Sequence, residues 1–230
     1  MRSLAIVPAR GGSKRIRQKN ITDFCGKPLM AHSIEAAHES QLFQVIHVST
    51  NCEQIRTIGA ALHTNTDFLR PESLSDDHTG IVPVLRWVVR EFERRGQIFN
   101  DVCMLMPTAP LINSADLRTA YDIFNSQEAR HPVVAVTSYP VPIEWAYTAD
   151  PAGLLTRSYP DQMTNVRSQD LGVKYYDAGA FAFFNTRQLL DEHHDLGSHL
   201  VGYNLPRHRV ADIDNPEDLE FAKILYRGSR

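Results

Sequence analysis

Short apolar runs alternate with longer segments of helical spacing along most of this 230-residue chain. The apolar runs predict strands at residues 4–7, 45–49, 102–106 and 133–137. The longer segments predict helices at residues 29–40, 52–63, 82–95, 115–126 and 216–226. Because alternating strands and helices form βαβ units, we expect a three-layer α/β fold with helices on both faces of a mainly parallel sheet.

Polar residues mark the expected starts of three of these helices. Asn51, Ser114 and Asn215 are predicted N-caps, because their side chains can accept hydrogen bonds from the free N–H groups of a first turn. Asp218 lies in the first turn of the last helix, where the helix dipole favours a negative charge.

The composition fits one substantial core, since 43% of the residues are hydrophobic. We therefore predict a single domain over residues 1–230. Residues 138–175 interrupt the alternation with several prolines and no helical period. They predict an inserted β-rich arm, and a long irregular surface loop is the alternative.

The overall charge argues against a nucleic-acid or membrane partner, because 24 Lys and Arg are balanced by 27 Asp and Glu. The three cysteines, Cys25, Cys52 and Cys103, form no Cys-x-x-Cys pair and predict free thiols in a reducing compartment. The apolar run at residues 4–7 is too short for a signal peptide or a membrane span. We expect a cytoplasmic protein.

A glycine-rich basic loop follows the first predicted strand, where ligands bind in sheets of this kind. Its glycines let backbone N–H groups approach an anion, and its cations can pair with a polyphosphate. The candidate nucleotide-phosphate-binding residues of this loop are Ala9, Arg10, Gly11, Gly12, Ser13, Lys14, Lys19 and Asn20. The loop matches neither the P-loop nor the dinucleotide fingerprint. A solvated basic loop that touches nucleic acid is the alternative reading.

The complete string favours a more specific interpretation. Residues 6–14 (IVPARGGSK), 19–21 (KNI) and 26–28 (GKP) closely resemble the opening of the CMP-sialic acid synthetase (acylneuraminate cytidylyltransferase) family. The resemblance implies a Rossmann-like nucleotidyltransferase fold, with Arg10, Lys14 and Lys19 holding a triphosphate and Asn20 reaching the nucleotide. It also implies a homodimer that associates through the inserted arm.

Arg70 is the residue expected to contact the base of the nucleotide. The family has a similar Arg-Pro segment whose arginine contacts cytosine. A guanidinium can donate to both O2 and N3 of cytosine, whereas the N3 hydrogen of uracil would face a donor. A surface arginine before a turn is the alternative. We also expect Thr79 to contact CTP.

The sugar site is assigned to Met106 and to two later segments. Met106 stands where many family members have a glutamine that contacts ligands, and core filling is an equally good interpretation. Residues 167–171 (RSQDL) and 175–181 (YYDAGAF) look more like the pseudaminic acid cytidylyltransferase branch than the sialic acid enzymes. The candidate sugar-binding residues are Met106, Arg167, Gln169, Tyr176, Asp177 and Phe181. Arg167 can pair with a sugar carboxylate, whereas for the two aromatic rings core packing is an equal alternative.

Asp212 and Asp214 form the candidate metal site. In an extended segment, residues two apart face the same side, so both carboxylates can converge on one Mg²⁺ ion. Helix capping is the alternative. The family has a similar Asp-Ile-Asp segment with a metal role.

The resemblance implies that the chain transfers CMP from CTP to the anomeric hydroxyl of a nine-carbon 2-keto sugar acid and releases pyrophosphate. Pseudaminic acid is the expected sugar, with N-acetylneuraminic or legionaminic acid as alternatives. The expected catalytic residues are Arg10, Lys19, Asp212 and Asp214. A CTP-binding regulator without turnover and a nucleic-acid binder remain as other classes, although the net charge of −3 disfavours the second.

Overall fold

A computed structural model describes residues 2–160 and 166–229 of the chain. The strands are β1 (Ser3–Pro8), β2 (Asp23–Phe24), β3 (Lys27–Pro28), β4 (Val45–Ser49), β5 (Asp101–Leu105), β6 (Val133–Ser138), β7 (Tyr147–Ala149), β8 (Leu155–Arg157), β9 (Tyr175–Asn185) and β10 (Val201–Asn204). The helices are α1 (Leu29–Ser40), α2 (Glu53–Ala61), α3 (Ile81–Arg94), α4 (Ser114–Ser126), α5 (Thr186–Leu190) and α6 (Pro216–Gly228).

Six strands form one mixed sheet in the order β10-β6-β9-β5-β1-β4. β1 pairs in parallel with β4 and β5, and β10 pairs in parallel with β6. β9 runs antiparallel between β5 and β6. The predicted three-layer α/β fold is confirmed, and the expectation of a mainly parallel sheet holds with β9 as the exception.

The core lies on both faces of this sheet. Alternate residues of β1 show this directly, because Ala5 and Val7 pack with α1 and α4 while Leu4 and Ile6 pack with α3. All four side chains are fully buried. A strand that is buried on both faces reads as a continuous apolar run, which is why the sequence identified it.

Two of the predicted helix caps are each wrong by one residue. Cys52, and not Asn51, precedes α2, and the Asn51 side chain instead contacts the basic loop. At α4 the cap is Asn113, whose side-chain oxygen accepts the N–H of Asp116 at 3.0 Å. Ser114 is already the first helical residue. A polar pair such as Asn113–Ser114 offers two cap candidates, and sequence does not rank them.

The cap at α6 is confirmed. The Asn215 side chain accepts the Asp218 N–H at 3.0 Å, and the Asp218 carboxylate accepts the Asn215 N–H at 2.9 Å. This reciprocal capping box fixes the segment immediately before the helix, which carries the candidate metal ligands.

The predicted arm contains a small two-stranded hairpin, β7–β8, that pairs with no strand of the main sheet among the described residues. β6 extends to Ser138 and β9 begins at Tyr175, so both ends of the predicted insertion lie in the main sheet. Residues 161–165 of the predicted arm lie outside the described residues. The dimerisation role of the arm stays a prediction.

The three cysteines have free thiols, as expected. Within residues 2–160 and 166–229, no helix combines the length and the apolar character that a membrane crossing requires.

Candidate active site

The basic loop faces the end of β5 across an open cleft of about 490 Å³. β1 and β5 are adjacent parallel strands, so the segments that follow them meet at one edge of the sheet. The cleft is lined by Pro8, Arg10, Ser13, Lys14, Arg15, Lys19, Asn20, Asp77, Met106, Pro107, Thr108 and Asp214. It therefore brings together the predicted phosphate loop, Met106 and one of the two predicted metal ligands.

A larger hollow of about 810 Å³ lies between α1, α6 and the start of α4. The described residues that line it include none of the predicted site residues. We place the chemistry in the smaller cleft, because that is where the cationic donors converge.

The basic loop is held in shape by neighbouring amide groups. The side-chain nitrogen of buried Asn20 donates to the carbonyl of Arg10 at 3.0 Å. The N–H of Gly11 donates to the Asn51 side chain at 3.0 Å. A Cβ on Gly11 would lie 2.8 Å from the Cβ of Cys52, so only glycine fits there without movement of its neighbour. Asn20 thus stabilises the conformation of the loop that carries the cations.

Two cations of the loop are paired with Asp77. Nη1 of Arg10 lies 2.7 Å from Oδ1 of Asp77, and Nζ of Lys14 lies 2.5 Å from Oδ2. Arg10 also donates to the carbonyl of Asp76 at 2.6 Å. The hydrogen bonds from Lys14 and then from Arg10 lower the pKa of the Asp77 carboxyl. Asp77 is therefore an anion that already occupies two of the predicted phosphate donors.

The other two cations of the cleft meet Asp214. Nζ of Lys19 donates to the carbonyl of Ile213 at 2.5 Å and lies 3.3 Å from Oδ1 of Asp214. The guanidinium of Arg15 lies 2.9 Å from the same oxygen. Lys19 thus ties the basic loop at the start of the chain to the acidic segment near its end.

Asp212 and Asp214 flank a fully buried residue, Ile213, as expected for an extended segment with two aspartates on one side. Burial, followed by the charge of Asp214, raises the pKa of Asp212. The Asp212 side chain makes no hydrogen bond to another described residue. Its Oδ1 lies 4.0 Å from the point where a Cβ on Gly179 would lie. The acidic pair is therefore next to the predicted sugar segment.

Arg70 is buried, with only 5% of its surface exposed. Its Nε and Nη2 have no hydrogen-bond partner among the described residues, while its backbone N–H donates to the carbonyl of Thr50 at 2.8 Å. Burial, followed by the charge of Arg10, lowers the pKa of Arg70 to about 10. The alternative of a surface arginine is therefore wrong.

Thr79 lies on the same loop as Asp77. The carboxylate of Asp76 accepts the N–H groups of His78 and Thr79 at 2.8 and 2.6 Å. These bonds shape the loop that presents Asp77 to the cations. Thr79 is not among the cleft-lining residues, so its contact with CTP stays a prediction.

Met106 is fixed through its backbone at the end of β5. Its N–H donates to the carbonyl of Ala180 at 2.8 Å, and its carbonyl accepts the hydroxyl of Ser33 at 2.9 Å. Its side chain packs on the core and also lines the cleft. The interpretations as a core residue and as a ligand contact are thus both compatible with its position.

Tyr176 and Asp177 lie where β9 is distorted. The register with β6 jumps from Val134–Ala182 to Val136–Asp177, so β9 carries extra residues at this point. Gly179, within the bulge, has φ +60°, and its N–H donates to the Asp177 side chain at 2.8 Å. The Tyr176 ring is partly exposed and lies 4.9 Å from the Tyr139 ring. Bulges commonly redirect side chains beside active sites.

Arg167 and Gln169 are exposed on a segment that does not line the cleft. Nε of Arg167 lies 2.7 Å from the Asp170 carboxylate. Their predicted contacts with the sugar therefore stay predictions, and Arg167 would have to exchange this partner for a sugar carboxylate.

Phe181 requires a correction. Its side chain is fully buried, and its ring packs against Phe183 and Tyr203 at 5.9 and 5.8 Å. It cannot flank a sugar ring, and the core-packing alternative is correct. The bulge explains this burial, because β9 returns to regular pairing after it and Phe181 then lies opposite Leu105 in the sheet.

We expect Phe181→Ala to lower the free energy of unfolding by about 3–5 kcal/mol, the usual cost of removing a buried aromatic ring. Thermal and urea denaturation measure this loss. Tyr176→Ala, at a partly exposed ring, is the control and should change stability much less. Equal losses for the two variants would contradict the core placement of Phe181.

Asp77, Asn51 and Arg15 belong to the site although sequence reasoning gave them no role in it. Asp77 pairs with Arg10 and Lys14, and Asn51 holds Gly11. Arg15 had a signal in its place within the basic loop, and Asp77 had one in the adjacent aspartates at 76–77. Their pairing was not predictable, because an acid opposite a basic loop in space is not visible from spacing.

Comparison with known proteins identifies the family. A family model described as cytidylyltransferase matches residues 4–226. The chain is 39% identical over 227 residues to the pseudaminic acid cytidylyltransferase of Campylobacter jejuni subsp. jejuni serotype O:23/36 (strain 81-176), an alignment that covers 99% of this chain and 97% of that protein. It is 30% identical over 220 residues to the N-acylneuraminate cytidylyltransferase of Escherichia coli O18:K1:H7, covering 95% of this chain and 51% of that one.

Solved structures agree on the fold. A CMP:2-keto-3-deoxy-manno-octonic acid synthetase complexed with CTP superimposes with a TM-score of 0.73 at 15% identity, covering 100% of both chains. The resemblance inferred from the opening residues is thus confirmed by comparisons that extend over nearly the whole sequence. The chain belongs to the cytidylyltransferase family.

Proposed function

We propose that this chain transfers CMP from CTP to the anomeric hydroxyl of pseudaminic acid, a nine-carbon 2-keto sugar acid, and releases pyrophosphate. The observation that carries the proposal is the cleft in which Arg10, Lys14, Arg15 and Lys19 converge beside Asp214. Four cations at one cleft suit the charge of a nucleoside triphosphate. The similarity to the Campylobacter jejuni enzyme supports the choice of sugar.

The buried Arg70 would read the base. In the free protein two of its donor nitrogens lack partners among the described residues, which is costly unless a ligand completes them. O2 and N3 of cytosine are adjacent acceptors that match a guanidinium fork. Uracil offers a hydrogen at N3, so the same arginine favours CTP over UTP.

Asp212 and Asp214 would hold Mg²⁺. Their mutual repulsion, which contributes to the raised pKa of Asp212, is relieved by a divalent cation. Groups of three or more potential metal ligands are absent from the described residues, so phosphate oxygens and water would complete the coordination, as Mg²⁺ prefers. Bound there, Mg²⁺ supplies charge neutralisation to the phosphates.

The chain's own residues would position the phosphates for a single displacement. The anomeric oxygen forms a bond to the α-phosphorus and its proton passes to water. The bond from the α-phosphorus to the bridging oxygen breaks, and pyrophosphate leaves with that oxygen and the bonding electron pair. Such transfers depend on alignment and on neutralisation of charge. Arg10, Lys14 and Lys19 would donate hydrogen bonds to the departing pyrophosphate, where negative charge accumulates.

The sugar would lie between the β9 bulge and Met106. Tyr176 is partly exposed at the bulge, and Asp177 shapes the turn that approaches Asp212. Met106 would offer this space an apolar surface. Arg167 and Gln169 would approach from the arm side to bind the sugar carboxylate and its polar substituents.

We also propose a cytoplasmic homodimer. Its support is the β7–β8 hairpin, which exposes apolar side chains such as Tyr147 and Leu155 outside the main sheet. Exposed apolar groups that cluster on one element are typical of an interaction surface.

The related sugar acids are the second candidate. The chain is 32% identical over 157 residues to the CMP-N,N'-diacetyllegionaminic acid synthase of Legionella pneumophila, covering 68% of this chain. A CTP-binding regulator without turnover is the remaining alternative.

The test is pyrophosphate release with CTP and Mg²⁺ in the presence of pseudaminic, legionaminic or N-acetylneuraminic acid. We expect the highest kcat/KM with pseudaminic acid and a marked loss when a chelator removes Mg²⁺. Preference for N-acetylneuraminic acid would overturn the choice of sugar, and CTP binding without turnover on any sugar would favour the regulator.

A further inference from the structure

We propose that Asp77 is a positioning residue that occupies the triphosphate donors of the free enzyme and competes with the phosphates of CTP and pyrophosphate. The inference rests on the proposed function, because it assigns Arg10 and Lys14 to the triphosphate. Both cations contact the Asp77 carboxylate, one on each oxygen, at 2.7 and 2.5 Å. Asp77 thus stands in for a phosphate group at this end of the cleft.

The loop that carries Asp77 is built to present it. The Asp76 carboxylate accepts two backbone N–H groups at 2.8 and 2.6 Å, and the Asp76 carbonyl accepts a hydrogen bond from Arg10. The turn therefore projects the next side chain, Asp77, toward the basic loop. Arg10 holds this turn through the carbonyl of Asp76 and the carboxylate of Asp77.

Two aspartates reduce the positive charge of the cleft. Asp77 and Asp214 offset half of the positive charge of the four lining cations. Asp214 has the separate proposed role of metal ligand, whereas Asp77 contacts only cations assigned to phosphate. A carboxylate there keeps the long Arg10 and Lys14 side chains ordered before CTP arrives. It also weakens their hold on the pyrophosphate product, which must leave after each turnover.

CTP binding must therefore separate Asp77 from Arg10 and Lys14. The ion pairs are exposed to solvent, so exchanging one anion for another costs little. The released turn at residues 75–79 would lose its bond from Arg10 and gain mobility. This consequence is measurable in the unmodified protein.

Titration with CTP and with pyrophosphate, both without sugar, tests the role of Asp77 by comparing the wild-type protein with Asp77→Asn. We expect Asp77→Asn to bind each ligand about five- to tenfold more tightly, the effect of removing two exposed ion pairs. The gain should shrink as salt is raised, because screening weakens the competition. Glu192→Gln is the matched control, since it removes an exposed acid that pairs with Arg90 outside the cleft.

Unchanged or weaker ligand binding by a folded Asp77→Asn protein would overturn the inference. Hydrogen–deuterium exchange of the wild type gives an independent readout, in which residues 75–78 should exchange faster with CTP bound, and slower exchange would count against displacement. Thr79 is left out of this comparison because a contact with CTP is predicted for it. A wild-type protein that binds no CTP at all would contradict the proposed function itself.

Discussion

Asp212→Asn is expected to lower kcat by about a hundredfold to a thousandfold, the usual scale for losing one stabilising contact to the charge of a transition state. The amide keeps the shape of the side chain but removes one of the two anionic ligands proposed for Mg²⁺. The fold should be unaffected, because the Asp212 carboxylate makes no hydrogen bond to another described residue. Pyrophosphate release at saturating CTP and sugar measures the loss.

The variant should also need more Mg²⁺ for half-maximal activity, because only Asp214 remains to hold it. Glu220→Gln is a suitable control, since it removes the same charge from an exposed acid on the neighbouring helix α6. Turnover by Asp212→Asn close to the wild-type value, at the same Mg²⁺ concentration, would contradict the metal assignment.

Arg70→Met is expected to raise the Kd for CTP by at least about a hundredfold and to abolish the preference for CTP over UTP. Hydrogen bonds from a charged donor contribute about 1.5–3 kcal/mol each, and the proposal gives cytosine two of them. Stability should stay the same or rise, because methionine removes a buried charge whose Nε and Nη2 have no partner among the described residues. Calorimetric titration with both nucleotides checks the selectivity.

Arg86→Met is the control, and we expect it to lower stability without changing nucleotide selectivity. Arg86 donates to the carbonyls of Leu189 and Asp191 at 2.6 and 2.9 Å, so its loss leaves acceptors unpaired. It should lower the melting temperature and leave the CTP-to-UTP ratio intact. An unchanged ratio in Arg70→Met would show that cytosine is read elsewhere.

The sequence predicted β1, β4, β5 and β6 and the five longer helices because their signals are local, whereas it did not predict β9 and β10 of the main sheet. The buried run of β1 and the Asn215–Pro216 start of α6 are both visible within a few residues. β9 was harder to identify, since it runs for eleven residues through a bulge and mixes exposed with buried positions. That bulge is also why Phe181 was wrongly assigned to the sugar. Side-chain period cannot be followed across extra residues.

The phosphate loop was predictable for the same local reason, whereas its partners were not. The contacts between Arg10 and Asp77 and between Lys19 and Asp214 join residues far apart in the chain. The burial of Arg70 likewise depends on packing beside Thr50, the residue that follows β4. Long-range contacts of this kind arise only once the sheet order is known.

The measurement that tests the central claim most directly is phosphorus NMR of the wild-type protein with CTP, Mg²⁺ and pseudaminic acid. Attack at the α-phosphorus predicts that the three CTP resonances are replaced by pyrophosphate and one new phosphodiester in equal amounts. Formation of CDP and a sugar phosphate would place the attack of the sugar at the γ-phosphorus, CDP and orthophosphate would mean hydrolysis by water, and unchanged CTP would mean no transfer. Any of these results would contradict the assignment of this cleft to CMP transfer.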